Sequence, residues 1–510
     1  MPIQVTERGV NPFDMSGIVT GKDGIRRYES LPRSLVEMLS TRVAQHPAAE
    51  ALAEVDGRRL TYQQLWDEAS AVAGGLAAGG VSPGDRVAIF LPSGIDWVLG
   101  FLGTLLAGAT AVPINTRLSE PEVQSILDDC KPGMVFRPTE PLPVGELTEV
   151  ASPDHTDVAA IFYTSGTTGE PKGALQTHEG LLSNAETAVR AFDLDRNLPP
   201  AGLRTLISVP LFHVTGCHSQ LLVALYLSGT AVILPALDVP RIITVVAEER
   251  INLMITVPAI YKLTITHDSY TPAAVESVRW VGYGGAPTSP ELVREIQEAF
   301  PSARVFNGFG STESSSLTSA LPDEFAVDHV DSVGFAVPVI DLALDALDDR
   351  TGVGELLVRG PNVVPGYWNK PEKTAETIQD GWLHTGDLAR IEDGLIYLAD
   401  RIKDVVNRGG EKVFCIEVEN ALAGLGGVVE SAVIGVPDSV MGEKVGAVVV
   451  TAETSPITAD DIKAFLHDKV ADYKVPEYVL VRSEPLPRNA GGKLRKPDLR
   501  ATVEWGVPLR

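Results

Sequence analysis

Read from the N-terminus, the apolar positions switch between a helical period and short unbroken runs. From Ser34 to Gln45 they recur at helical spacing, which predicts an amphipathic helix. Leu60-Thr61-Tyr62 leads into another helix, from Gln63 to about Ala78, with Thr61 as its N-cap. Ser82-Pro-Gly-Asp85 marks a turn, and Arg86-Val-Ala-Ile-Phe-Leu91 reads as a strand. A helix from about Asp96 to Leu106 ends at Gly108, and Ala109-Thr-Ala-Val-Pro113 is the next strand. Strand, helix, strand in this order is a βαβ unit. The rhythm returns with a strand from Leu206, a helix over Gly216 to Leu227 and a strand over Thr230 to Leu234. A helix over Val239 to Arg250 and a strand over Leu253 to Val257 follow. Residues 105–113 and 226–235 echo each other in sequence, which points to two similar α/β layers within one large domain.

After about Asp331 the pattern shortens. Gly354-Glu-Leu-Leu-Val-Arg359 and Leu395-Ile-Tyr-Leu398 are brief strands between turns, which predicts a small β-rich lobe. Asp400-Arg-Ile-Lys-Asp404 is a charged connector, and beyond it lies an α+β unit of the size of a second domain. Its helices are expected over Ile416 to Leu425 and Ala459 to Val470, and its strands at Ala432–Val436, Val445–Val450 and Tyr478–Val481. The fold class expected is therefore α/β: a large N-terminal domain over 1–400, a hinge at 401–403 and a smaller mobile α+β domain over 404–510. Residues 1–30 are polar and Gly-rich and are expected to wrap loosely over the surface. The apolar segments Val98–Ile114 and Leu221–Leu237 are each broken by Gly, and read as helix, stop and buried strand rather than membrane spans.

Composition narrows the function. A chain of 510 residues with 44% apolar residues can bury a large core. A formal charge of −25 argues against nucleic-acid or anionic-membrane partners, so a polyanionic ligand must be met by a local basic site. Three scattered cysteines, Cys130, Cys217 and Cys415, suit a reducing compartment and neither a disulfide framework nor a zinc site. The N-terminus carries no signal-peptide pattern, and the expected location is cytoplasmic.

Candidate chemistry concentrates in Tyr163-Thr-Ser-Gly-Thr-Thr-Gly-Glu-Pro-Lys-Gly173, after the apolar run Val158–Phe162. Glycines let backbone N–H groups approach an anion, Ser165, Thr167 and Thr168 add donors, and Lys172 adds positive charge. It is a phosphate-gripping loop by chemistry, yet not the common nucleotide P-loop, because Gly173 follows Lys172 where that motif has Ser or Thr. Taken alone, such a Gly/Thr tract would more often be a flexible surface loop.

This loop resembles that of the adenylate-forming superfamily of acyl-CoA synthetases, adenylation domains and luciferases. Other segments resemble family motifs, in the family's order: Val209-Pro-Leu-Phe-His-Val-Thr-Gly216, Gly284-Gly-Ala-Pro287, Phe309-Gly-Ser-Thr-Glu313, Trp382-Leu-His-Thr-Gly-Asp387, Asp400-Arg-Ile-Lys-Asp404, Arg408-Gly-Gly-Glu-Lys412 and Pro487-Arg-Asn-Ala-Gly-Gly-Lys493. Ala399 and Gly492 depart from the family's usual residues without removing a functional group. The resemblance implies an ATP-dependent acyl-CoA synthetase that activates a carboxylic acid as acyl-AMP and then transfers it to coenzyme A. Thr164, Ser165, Gly166, Thr167, Thr168, Gly169 and Lys172 would hold phosphates, and Gly284, Gly285, Ala286 and Pro287 would flank adenine. Asp387 and Arg401 would meet the ribose. Thr312 and Glu313 would serve the phosphate and its Mg²⁺, a hard ion that prefers oxygen. Lys493 would reach the α-phosphate during adenylation. Gly409, Gly410 and Glu411 would line the CoA path, and Lys403 would be the hinge.

His213 would line and gate the acyl pocket rather than act as a base, since a carboxylate nucleophile has no proton to give up. The other expected walls are Val214, Gly216, Val257, Tyr261, Tyr283, Gly308, Phe309 and Gly310. They are apolar or small and include no Arg or Lys, which favours a fatty or aryl monoacid over a dicarboxylate. The expected partners are the acid, ATP and CoA, with no nucleic acid and no transmembrane segment; a homodimer is compatible with this reading. An enzyme passing its acyl group to a carrier protein is the alternative, and a nucleotide-binding scaffold without activity is a third reading.

Overall fold

The computed structural model describes residues 4–5, 11–165, 171–285, 288–348, 351–452, 457–488, 494–506 and 508. The helical periods become helices where expected: Leu35–Gln45, Tyr62–Ala78, Ile95–Leu106, Val239–Glu248, Cys415–Ala423 and Ala459–His467. Thr61 does cap its helix. Its side chain accepts the Gln64 N–H at 3.2 Å while the Gln64 side chain accepts the Thr61 N–H at 2.9 Å, a reciprocal box that satisfies two donors at the helix start.

The strands assemble into two α/β sheets. Arg86–Ile89, Thr110–Pro113, Met134–Phe136 and Val158–Ser165 run parallel in a five-stranded sheet, closed at one edge by the antiparallel strand Pro171–Thr177. Glu50–Glu54, Thr230–Ile233, Arg204–Ile207, Leu253–Thr256, Trp280–Gly284 and Arg304–Phe309 form the parallel part of a second sheet. The echoing segments thus supply matching helix–strand units to different sheets, because each parallel strand needs a crossover helix to return the chain.

The expected β-rich lobe is present and is part of the large domain. It continues the second sheet through antiparallel strands, including Ser319–Leu321, Phe335–Ala336, Leu395–Arg401, Trp382–Glu392, Val353–Arg359 and Asp341–Asp348. The seam between them is narrow. Phe335 pairs with Leu395, the Ile396 N–H reaches the Gly334 carbonyl at 2.9 Å, and the Val333 N–H reaches the Ile396 carbonyl at 2.8 Å.

The N-terminal segment is also more ordered than its composition suggests. Ile18–Thr20 pairs with Arg26–Tyr28, and Gln4–Val5 adds to Asp341–Asp348. Phe13 and Tyr28 are buried, the Tyr28 hydroxyl lies 2.8 Å from that of Thr187, and Arg27 pairs with Glu179 at 2.8 Å. A few aromatic and ionic anchors hold a segment that has no strong pattern of its own.

The C-terminal unit has a five-stranded sheet built on the long hairpin Val428–Asp438/Gly442–Thr451, and two apolar clusters of its own. Cys130, Cys217 and Cys415 are all buried free thiols. Among the described residues, no helix is long and apolar enough to cross a membrane.

Candidate active site

The strands on either side of the phosphate-loop candidate pair antiparallel, Ser165 with Pro171, Thr164 with Lys172 and Tyr163 with Gly173, so a strand and not a helix follows it. That geometry, as well as the Lys-Gly sequence, separates it from the common nucleotide P-loop. Gly166, Thr167, Thr168 and Gly169 lie outside the described residues, as do Ala286, Pro287 and Lys493. The Thr164 hydroxyl points back to the Lys172 carbonyl at 3.5 Å. The Lys172 ammonium lies 5.3 Å from the centre of the Tyr367 ring, within cation–π range. The Tyr367 hydroxyl in turn donates to Glu313 Oε1 at 2.8 Å. Burial first, and the adjacent carboxylate second, push the Tyr367 phenol well up, so it stays a donor.

The Thr312–Glu313 turn is held from several sides. Ser311 caps it by accepting the Ser314 N–H at 3.2 Å. Gln176, buried on the strand that carries Lys172, donates to the Thr312 carbonyl at 2.9 Å and accepts the Ser315 hydroxyl at 2.8 Å. The Val364 N–H reaches the Glu313 carbonyl at 2.9 Å. The strand that carries Lys172 and the turn that carries Glu313 are thereby fixed to each other.

The segment carrying His213 is tied to the same turn. The helix expected over Gly216 to Leu227 opens as π-helical turns, Thr215–Leu221, and becomes α-helical over Leu222–Tyr226. Such widened turns occur often at functional sites. A Cβ on Gly216 would come within 2.5 Å of the Val209 carbonyl, so this close approach requires glycine. His218, fully buried, donates from Nδ1 to the Ser315 carbonyl at 3.1 Å, and burial pushes its imidazole down to about 3, so it stays neutral. The Ser219 and Ser316 hydroxyls lie 2.8 Å apart. His213 itself is half-buried, edge-on to Phe212.

The expected acyl-pocket walls do not all meet. Val214 and Phe309 pack at the margin of the larger core cluster. Tyr261 and Tyr283 lie in the second cluster, on the opposite face of the parallel sheet. Alternation along Trp280–Gly284 decides this: Trp280 belongs to the first cluster, and Val281 and Tyr283 to the second. The Tyr261 hydroxyl is spent on the Met254 and Gly282 carbonyls, 3.0 and 2.9 Å away. These tyrosines are scaffold and do not join His213. Val257 is exposed. Gly284 and Gly308 are ladder partners, and a Cβ on Gly284 would sit 2.2 Å from the Gly308 carbonyl. Gly285 turns the chain at a φ of +75°. On Gly310 a Cβ would fall 1.4 Å from the Ser316 carbonyl oxygen.

Asp387 and Arg401, both expected at the ribose, are cross-strand partners and form an ion pair at 3.0 Å. Asp387 is mostly buried, whereas the Arg401 side chain is 51% exposed and open to a ligand. Glu355, which the sequence did not single out, accepts the Gly386 N–H at 3.0 Å through Oε1 and lies 2.9 Å from His384 Nδ1 through Oε2. It fixes the turn before Asp387. The one visible signal was an acid standing just before the apolar run Leu356–Val358.

Beyond the connector, Asp400 accepts the Cys415 N–H and Asp404 pairs with Arg500 at 3.0 Å, so both acids flanking exposed Lys403 are anchored in the C-terminal unit. Gly409 and Gly410, with φ of +58° and +95°, form a two-residue hairpin turn between Arg408 and Glu411. The Gly409 N–H is held by the Met441 carbonyl at 2.7 Å, and Glu411 is exposed.

The AMP-binding enzyme family matches residues 39–368, and the AMP-binding enzyme C-terminal domain matches residues 417–493. The chain belongs to the AMP-binding enzyme family. It is 34% identical over 469 residues to a feruloyl-CoA synthase of Amycolatopsis sp, covering 87% of this chain and 94% of that protein. It is 32% identical over 506 residues to the long-chain-fatty-acid–CoA ligase FadD13 of Mycobacterium tuberculosis, covering 92% and 99%. Among solved structures, o-succinylbenzoate CoA synthetase of Bacillus subtilis with its acyl-adenylate intermediate superposes with a TM-score of 0.82 at 28% identity, covering 92% and 99%.

Proposed function

We propose that this protein is an ATP-dependent acyl-CoA synthetase acting on a fatty or aryl monoacid. The observation that carries the reading is the meeting of the Lys172 strand with the Thr312–Glu313 turn through Gln176. Tyr367 lies between the two, its ring 5.3 Å from the Lys172 ammonium and its hydroxyl 2.8 Å from Glu313 Oε1, which supports a cation and a hard-oxygen acid serving one phosphate site. In the first half-reaction the substrate carboxylate attacks the α-phosphorus of ATP, and the bond to the β-phosphate oxygen breaks, giving acyl-AMP and pyrophosphate. Charge grows on the phosphate oxygens, so fixed donors and cations lower the barrier. Lys172 and the loop hydroxyls hold the departing pyrophosphate. Asp387 and Arg401 hold the ribose, and Lys493 steadies the carboxylate and α-phosphate. Glu313 fits a Mg²⁺ site, since among the described residues only its Oε1 is engaged; the ion would supply charge neutralisation at the phosphates.

In the second half-reaction the CoA thiolate attacks the acyl carbon and AMP leaves. Gly409, Gly410 and Glu411 would then face the first domain after rotation about Lys403. The acyl-pocket residues on the His213 side are Val214, Gly216, Gly308, Phe309 and Gly310, none of them cationic, which supports a monoacid. Relatives named for feruloyl and long-chain fatty acyl groups agree with that class. The test is incubation with ATP, Mg²⁺ and a panel of carboxylates, with and without CoA. AMP, pyrophosphate and a CoA thioester are expected. ADP and phosphate would refute the adenylate route, and acyl-AMP formed without transfer to CoA would point to a carrier-protein thiol instead.

A further inference from the structure

We propose that Tyr367 is a positioning residue that couples the pyrophosphate end of the site to its carboxylate end, acting through Glu313 and Lys172. The proposal rests on the reading of Glu313 and Lys172 given above and adds a residue to it. Tyr367 is laid alongside the Lys172 strand by main-chain bonds. The Leu175 N–H reaches the Gly366 carbonyl at 3.0 Å, the Trp368 N–H reaches the Gly173 carbonyl at 2.7 Å, and Ala174 bridges to Tyr367. Its own N–H is taken by the Thr374 hydroxyl at 2.9 Å. The ring is 7% exposed and its face meets the Lys172 ammonium. From this position, fixed on the first sheet, the hydroxyl crosses to Glu313 on the turn that follows a strand of the second.

The consequences follow from the two ends of one side chain. A phenol that donates to Oε1 fixes the rotation of the Glu313 carboxylate and leaves Oε2 as the oxygen presented to a cation. A ring face under Lys172 limits where that long, flexible side chain can place its charge. Displacement of either partner is felt by the other through one rigid ring. Tyr367 touches neither reacting carbon nor phosphorus in this account, so its effect must pass through its two partners.

Two substitutions separate the ends. Tyr367→Phe keeps the buried ring beneath Lys172 and removes the donor; Tyr367→Leu removes both. For Tyr367→Phe, ATP–pyrophosphate exchange should lose about 30-fold in kcat with the KM for the acid unchanged, and thioester formation from supplied acyl-AMP should stay within about twofold. Tyr367→Leu should in addition raise the KM for ATP. A readout independent of turnover is Mn²⁺ affinity in the presence of a non-hydrolysable ATP analogue, followed by electron paramagnetic resonance, which Tyr367→Phe should weaken about fivefold. The decisive comparison is Glu313→Gln alone and combined with Tyr367→Phe, since residues acting in series give non-additive losses. Additive losses in the double variant, or Mn²⁺ affinity and exchange both unchanged in a Tyr367→Phe protein of parental thermal midpoint, would overturn the assignment. Absence of exchange in the parent protein with every acid tested would instead refute the functional reading, and the Mn²⁺ measurement would still judge Tyr367.

Discussion

Gly310→Ala puts the close packing of the Thr312–Glu313 turn to the test. A Cβ at this position would lie 1.4 Å from the Ser316 carbonyl oxygen, while real Cβ atoms essentially never approach within 3.0 Å, so Ser316 must retreat by about 1.6 Å. Ser316 is already held in a sparsely populated conformation, at a φ of +112°, by the Ser311 carbonyl at 3.0 Å and the Ser219 hydroxyl at 2.8 Å. Its neighbour Ser315 is bound by Gln176 and His218. The strain therefore passes into the turn that orients Glu313. A misplacement of about 1 Å near reacting groups costs on the order of 100-fold in rate, so ATP–pyrophosphate exchange should fall by at least that factor. Overpacking should also destabilise the fold by about 1–3 kcal/mol, read from urea unfolding. Exchange by Gly310→Ala within about threefold of the parent would refute the claim that this glycine sets the Glu313 turn.

Glu355→Ala should release the Gly386 N–H and His384 and raise the KM for ATP about tenfold with a smaller effect on kcat, checked by steady-state kinetics. Lys493→Ala should lower exchange by about 1,000-fold, the loss expected for transition-state charge stabilisation, while thioester formation from supplied acyl-AMP stays nearly intact. Lys403→Pro, which fixes φ and removes an N–H, should keep adenylation within about tenfold and lower thioester formation more than 100-fold, about 3 kcal/mol of barrier; parallel losses would move the hinge elsewhere. His178 gives a pH signature: its Nδ1 accepts the Leu35 N–H at 3.2 Å, and burial pushes the imidazole from 6.5 down to about 4. Between those values the unfolded chain binds the extra proton, so this stabilisation is full above about pH 6.5 and is lost as pH falls toward 4, by up to about 3 kcal/mol. Urea midpoints across that range should flatten in His178→Gln.

Much of the fold was legible because the parallel sheets are buried on both faces, which leaves unbroken apolar runs between amphipathic helices. The strand Pro171–Thr177 was not, since Lys172, Gly173 and Gln176 interrupt its pattern for reasons of function and packing. Gly173, for example, leaves room for Ile161, which a Cβ would meet at 2.5 Å. The candidate site residues were visible as motifs, and two of them, Asp387 and Arg401, are ion-paired in the structure. Gln176, Glu355 and Tyr367 were not, because each is an ordinary residue type whose role depends on a partner far along the chain. Tyr283 was misplaced for a simpler reason. Which face a strand residue occupies turns on a register of one, and neighbouring motif residues do not reveal it.

The narrow seam at Phe335 and Leu395 gives the bound nucleotide a second effect. The Asp387–Arg401 pair, proposed above to hold the ribose, lies beyond the seam, and the Glu313 turn lies before it. One ATP molecule held by both would act as a staple across a junction that few main-chain bonds close. Local opening there should be suppressed when ligand binds, since anything that favours the closed form shifts that equilibrium by mass action. The Val333 and Ile396 amides would report it as slowed deuterium uptake, a protection that spreads along the lobe's strands while amides deep in the parallel sheet, already slow, barely change.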